Sequence, residues 1–157
     1  MEKRRVVITG MGTVNPIGNT AADSWTACRE GRCGIGPITL YDTSSMKVKL
    51  AGEVKNLDAE GLLGKRECKK MDRFTQMALI AADQAMADSG LDREREDLNR
   101  CGVLISSGIG GFQTVADAHA RGEQRGYDSL SPFMIPMIIS NMAAGHAAIR
   151  YGFRGMC

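Results

Sequence analysis

Gly102-Val103-Leu104-Ile105-Ser106-Ser107-Gly108-Ile109-Gly110-Gly111 is the stretch on which the fold class turns. Its unbroken apolar run predicts a strand buried on both faces of a sheet. The glycines that follow predict a tight turn into a helix reaching about Gly122. The same pattern opens the chain, where Val6-Val7-Ile8-Thr9 runs into Gly10-Met11-Gly12. Strand, glycine turn and helix, twice over, predict an α/β fold with a parallel sheet. Two strands are too few to build such a sheet. Either further strands escape the pattern, or the chain holds part of a domain.

Outward from these turns the helices are easier to place. Asn15-Pro16-Ile17-Gly18-Asn19 has turn chemistry, and Asn19 or Thr20 can cap a helix passing Trp25 to about Glu30. Residues 31–37, rich in glycine, end it. Residues 47–54 suit a short strand and 58–63 a helical turn. Residues 72–89 form the clearest helix, with Phe74, Met77, Ala78, Ala81 and Ala85 on one apolar face. Most of that face is alanine, so whatever packs on it comes close. Gly90 stops it, and residues 92–100 are a charged, solvated connection. Ser131-Pro132-Phe133-Met134-Ile135-Pro136 is a stiff bend. From Pro136 a helix is expected to run to Tyr151, buried on nearly all sides, with Gly152 as its stop.

Composition narrows the function classes. The chain has 157 residues, 20 Lys+Arg against 18 Asp+Glu, and 43% hydrophobic residues, which suits one globular domain. A net charge of +2 gives no single-sign field for nucleic acid. Glycine is enriched, at 19 residues. The apolar run after Met1-Glu2-Lys3-Arg4-Arg5 is too short for a secretory signal. The best membrane candidate, residues 134–149, falls short of the ~20 residues of a span and contains Ser140, Asn141 and His146. Five cysteines in no regular framework read as reduced thiols in a cytoplasmic protein.

Several chemistries fail on particular residues. A dinucleotide-binding turn needs glycine where Asn15 stands, and no lysine follows in phosphate-loop spacing. Cys28 and Cys33 have loose metal spacing but no second pair, so they read as buried thiols and no metal site is expected. His146 reads as a buried, hydrogen-bonded helix residue, and His119 as a solvated one.

Four sets of motifs, in order, carry a resemblance. They are Arg4-Arg5-Val6-Val7-Ile8-Thr9-Gly10-Met11-Gly12 with Asn15-Pro16-Ile17-Gly18-Asn19; Met71-Asp72-Arg73-Phe74-Thr75-Gln76 with Asp88-Ser89-Gly90-Leu91; Ser107-Gly108-Ile109-Gly110-Gly111; and Ser131-Pro132-Phe133, Ile135-Pro136 and Ser140-Asn141-Met142-Ala143-Ala144-Gly145. Together they resemble the β-ketoacyl-ACP synthases, the elongating condensing enzymes of fatty-acid synthesis, over residues 3–157. The Gly108-Ile109-Gly110-Gly111 form resembles the synthase II branch more than synthase I.

The resemblance implies the N-terminal part of a thiolase-like layered αβαβα fold, working as a homodimer and needing no cofactor. It implies a decarboxylating Claisen condensation between an acyl-Cys enzyme and malonyl-ACP. The family's nucleophile lies in a Thr-Ala-Cys-type motif after the last helix, and both catalytic histidines lie further on. No catalytic residue is therefore assigned, Cys157 stands too early to be the nucleophile, and the chain alone is expected to be inactive. By the same resemblance Ile109 gates the acyl-chain pocket, Phe112 lines it, and Met134 reaches the partner subunit's pocket. Lys65, Arg66, Lys69 and Lys70 would dock the acidic acyl carrier protein, against the simpler reading of a solvated helix start. Two further readings stay open: a polyketide ketosynthase or chain-length factor, and a standalone α/β binding module without catalysis.

Overall fold

The computed structural model describes residues 5–157, which fall into two packed units. The first comprises the chain up to Leu57 together with Ala81–Gly90; the second comprises Asp58–Ile80 and Leu91–Cys157.

In the first unit, α1 (Ala21–Arg29) begins as the sequence predicts. The Thr20 hydroxyl accepts the Asp23 N–H at 3.1 Å, Asp23 lies in the first turn and Arg29 in the last, so cap and charges both match the helix dipole. Gly31, at φ +67°, turns the chain out of the helix. Residues 31–37, read from sequence as a plain loop, instead contain β1 (Ile35–Pro37), antiparallel to β2 (Leu50–Gly52) with Gly36 opposite Ala51. Glu53 staples this hairpin by accepting from the Thr39 N–H at 2.9 Å and its hydroxyl at 2.7 Å. Those bonds hold the Glu53 carboxyl below the ordinary carboxylate range.

The first glycine turn lies along the C-terminal half of α4 (Arg73–Ser89). The Met11 N–H donates to Asp88 at 2.9 Å and the Thr13 N–H to Gln84 at 3.2 Å. A Cβ on Gly10 would run into the Ala85 carbonyl, and one on Gly12 into that of Ala81. The alanine positions thus receive a close backbone neighbour, as expected. The single apolar stripe predicted for this helix is corrected: no residue from Phe74 to Met86 is exposed, and the most buried are Thr75, Leu79 and Ile80. Burial along residues 74–86 does not follow one face, so one period of apolar residues does not describe the packing.

In the second unit, α2 (Ala59–Leu63) is capped by Asp58, which accepts the Gly61 N–H at 2.8 Å. Gly64, at φ +90°, separates it from α3 (Lys65–Cys68). α5 (Phe112–Arg125) extends slightly past the predicted Gly122 and leads through a 3₁₀ turn (Tyr127–Ser129) to α6 (Met134–Ile138) and α7 (Met142–Tyr151). The single helix expected from Pro136 to Tyr151 is broken. A continuous helix would give the Ile138 carbonyl to the Met142 N–H. Here it takes the Gly111 N–H instead, at 3.1 Å, and Met142 donates to Ile139. α6 also has no buried residue, against the expectation of a helix buried on nearly all sides. α7 buries Ala143, Ala144, Ala147 and Tyr151 and ends at Gly152 in the left-handed conformation.

The parallel sheet is the largest departure. Among the described residues the sole sheet is the two-stranded hairpin, and neither residues 6–9 nor 102–106 form a strand. Val6 and Leu104 are 93% and 97% exposed. Residues 101–108 nevertheless alternate half-buried and exposed with the period of an extended chain. Beside them the Gly155 N–H donates to the Cys101 carbonyl and the Val103 N–H to the Met156 carbonyl, both at 2.9 Å, with the two segments running in the same direction. A parallel ladder around residue 102 would need the Val103 N–H on Gly155, the residue that donates to Cys101; it goes to Met156 instead, and no ladder forms there.

Candidate functional site

Asp72 organises the second unit around the Gly108–Gly111 turn. It caps α4 by accepting the Phe74 N–H at 3.2 Å. Its other oxygen accepts the Thr114 N–H at 3.1 Å and the Thr114 hydroxyl at 2.5 Å, in the first turn of α5. One buried carboxylate therefore holds the N-termini of two helices, where the backbone N–H groups and the dipole both favour negative charge. Gly111 fits between this carboxylate and α6, since a Cβ there would meet the Met137 carbonyl.

Next to that junction lies a cleft of about 210 Å³. Met134 and Met137 of α6 and Leu130 give it an apolar wall; Lys69, Asp117 and Arg121 give it charge. Asp117 is engaged by the Gln113 amide at 2.8 Å. Two cations beside flexible, polarisable methionine side chains suit a ligand with an anionic end and an apolar chain.

The sequence-derived site residues separate into groups. Lys69 and Met134 line this cleft together. Lys65 and Arg66 are exposed on α3. Lys70 is tied to Glu67 at 2.9 Å, and that bond and charge hold the Glu67 carboxyl below its usual range. The positive face is thus carried by Lys65, Arg66 and Lys69. Ile109 and Phe112 are outside the cleft lining and are 73% and 67% exposed.

Two expectations about polar side chains are corrected. Cys28 and Cys33 are exposed, not buried: Ala27 is the one buried residue of α1, and Cys33 lies in the open loop before β1. His146 is half-buried on α7, but its Nε2 is enclosed without a hydrogen-bond partner among the described residues. Burial pulls its pKa down, and nearby Glu67 opposes that only in part. His119 is exposed as expected, with Nδ1 3.5 Å from the Tyr127 hydroxyl. Cys68 is buried with its thiol donating to the Ala59 carbonyl at 3.3 Å, and burial pushes its pKa up, which is the reverse of an activated thiolate. No cluster of three metal-ligating side chains occurs among the described residues.

Sequence reasoning passed over Asp72, Thr114 and Arg121. An aspartate directly before an apolar helical run is a helix-cap signal, and that signal was available at Asp72. Thr114 and Arg121 carry none, because their roles depend on where α5 lands.

Residues 3–157 match the family model described as the N-terminal domain of beta-ketoacyl synthase. The chain is 46% identical over 155 residues to the 3-oxoacyl-[acyl-carrier-protein] synthase 2 of Synechocystis sp., covering 99% of this chain and 37% of that relative. The chain therefore spans little more than a third of that relative's length. Among solved structures it is similar to the ishigamide ketosynthase/chain length factor, with a TM-score of 0.89 at 23% identity, covering 99% of this chain and 39% of that one. It is also similar to the AntDE ketosynthase solved with its type II PKS acyl-carrier protein, AntF, with a TM-score of 0.77 at 23% identity over 97% of this chain and 41% of that one. These likenesses show the fold: the N-terminal part of the thiolase-like ketosynthase architecture.

Proposed function

The chain belongs to the β-ketoacyl synthase family, and from that premise we propose that it is the N-terminal part of a synthase II-type condensing enzyme of fatty-acid elongation, contributing carrier docking and part of the acyl pocket. The observation that carries this reading is the cleft in which Lys69 and Arg121 stand beside Met134 and Met137. Identity of 46% over 155 residues to a 3-oxoacyl-[acyl-carrier-protein] synthase 2 supports the fatty-acid role.

In the reaction, an acyl group moves from its carrier to a cysteine thiolate, releasing the carrier thiol. Malonyl-ACP then loses CO₂, its α-carbon attacks the acyl thioester, and the cysteine leaves as thiolate. We assign the nucleophile to none of the five cysteines here. Cys68 is buried with a raised pKa, and no other cysteine lies in the first turn of a described helix, where a thiolate is favoured. Cerulenin, which modifies the active cysteine of condensing enzymes, is expected to leave this chain unlabelled; stoichiometric labelling of one residue would overturn the assignment.

Ile109 and Phe112 are exposed apolar side chains, and burying each against an acyl chain or further protein is worth about 1.5–3 kcal/mol. This supports their placement at the acyl pocket, with Met134 at the boundary with a partner subunit in a homodimer. No described helix is long and apolar enough to cross a membrane, which fits the proposed cytoplasmic setting. Lys65, Arg66 and Lys69, with the paired Lys70, form the docking face for acidic acyl carrier protein. Titrating acyl carrier protein into the chain at low salt tests this. Reversing Lys65 and Lys69 to Glu is expected to weaken binding about tenfold, an effect that shrinks at high salt. Equal affinity at low salt would sink the docking role.

A further inference from the structure

A second cleft, in the first unit and larger than the one above at about 320 Å³, is used by nothing so far described. It lies among the 15–19 turn, α1 and residues 55–56, and its chemistry is set by Arg32, Lys55, Asn19, Asn56, Thr26 and Asp23. Its walls are fixed before any ligand arrives. Asn15 closes the turn on one side: its side-chain oxygen accepts the N–H groups of Ile17 at 3.0 Å and Gly18 at 3.1 Å. The Asn19 amide donates to the Lys55 carbonyl at 2.9 Å, tying the opposite wall to the turn. Asn56 stands at φ +54°, the left-handed region, and no other described non-glycine residue has a positive φ. Asn adopts this conformation more readily than other non-glycine residues, and here it fixes the turn that follows Lys55.

We propose that this cleft binds a small phosphate monoester, the phosphate held between the Arg32 guanidinium and the Lys55 ammonium. Glu30 accepts from Arg32 Nε at 2.7 Å, which orients the guanidinium and leaves its terminal N–H groups as the phosphate fork. That ion pair is exposed on both sides, so it costs little to share with a second acceptor. Asn56 and Thr26, whose side chains carry neutral donors, line the same cleft. Asp23 does not repel the ligand's charge in full: it accepts the Thr20 hydroxyl at 2.7 Å and lies in the first turn of α1, where the dipole compensates it. It also offers an acceptor for a hydroxyl on the esterified group. The volume exceeds that of a phosphate alone, which is why a monoester is favoured over the free ion.

The test is a titration of the ¹⁵N-labelled chain with inorganic phosphate and with glycerol 3-phosphate, each against sodium chloride at matched ionic strength. Saturable shifts confined to Asn19, Thr26, Lys55 and Asn56, tighter for the monoester, are expected. Arg32→Gln and Lys55→Gln should each weaken binding about tenfold, the loss of one charged hydrogen bond. Lys47→Gln with Lys49→Gln, outside the cleft, should leave it unchanged. All are exposed positions whose substitution preserves the amide spectrum. Non-saturable shifts, shifts that chloride reproduces, equal affinity in the Arg32 and Lys55 variants, or free phosphate binding as tightly as the monoester would each overturn the proposal.

Discussion

The two glycine turns, Gly10-Met11-Gly12 in the first unit and Gly108-Ile109-Gly110-Gly111 in the second, are read from sequence as the same device, and each is packed differently. The first lies along a helix: Gly10 and Gly12 face the carbonyls of Ala85 and Ala81, and α4 side chains, Asp88 and Gln84, take the N–H groups of Met11 and Thr13. The second lies against helix ends: Gly110 and Gly111 face the carbonyls of Ile138 and Met137, while Asp72 holds the start of the following helix. In the first turn the missing side chains let a backbone slide close to alanines. In the second they let two helices meet and leave Ile109 projecting outward. A turn of the first kind is architecture; a turn of the second kind can also present a residue to a ligand.

One added methyl group in each turn has the largest expected effect. Gly12→Ala places a Cβ inside contact distance of the Ala81 carbonyl, and Gly111→Ala does the same at Met137. In both cases the obstacle is backbone, which cannot rotate away. Each substitution is expected to cost about 2–4 kcal/mol, since overpacking against a rigid neighbour forces backbone shifts. Denaturant midpoints of the two variants measure this. A loss at Gly111 with none at Gly12 would mean that the first turn does not rest on α4 as described.

Next in size is Asp72. Asp72→Ala removes the acceptor shared by two helix N-termini and strands the Thr114 N–H and hydroxyl, at an expected cost of about 1–3 kcal/mol. Asp72→Asn keeps an acceptor and should recover part of it. If alanine and asparagine are equally costly, shape rather than hydrogen bonding holds the junction.

These residues also show what the sequence made legible. Thr20 and the glycines that end α1 and α7 act locally, through caps a few residues long, and were readable. The break between α6 and α7 was not, because no proline or glycine stands at residues 139–141 to mark it. The helix yields there to a bond from Gly111, some thirty residues earlier in the chain. The parallel sheet was inferred from two apolar runs that each enter a glycine turn, yet a strand exists by pairing, and residues 6–9 find no ladder among the described residues. Of the cleft's lining, Lys69 and Met134 had been named by the family resemblance, one for carrier docking and one for the partner subunit's pocket. Arg121 was not, because its place in the cleft follows from the helix it rides on.

A smaller effect, confined to the second unit, depends on pH. His146 is enclosed at Nε2, and burial lowers its pKa below the ordinary value of 6.5. The unfolded chain therefore binds a proton there before the folded one does. Stability should fall as pH drops through 6.5 and stop falling once the folded-state pKa is passed. Lys70 reinforces the shift and Glu67 opposes it. His146→Gln should flatten this part of the stability–pH curve. An unchanged slope would place the titration elsewhere.

The smallest expected effect is the most discriminating for the second turn. Gly108 opens the same turn as Gly111, yet a Cβ there meets nothing within 4 Å, and its φ is not in the left-handed region. Gly108→Ala should therefore be neutral or stabilising by about 0.4–1 kcal/mol, because alanine narrows the unfolded ensemble without meeting a neighbour. If the methyl group instead destabilises the chain as Gly111→Ala does, the space beside Gly108 is filled in solution. The exposed Ile109 next to it would then be covered as well, and the surface proposed for an acyl chain would already be occupied by protein.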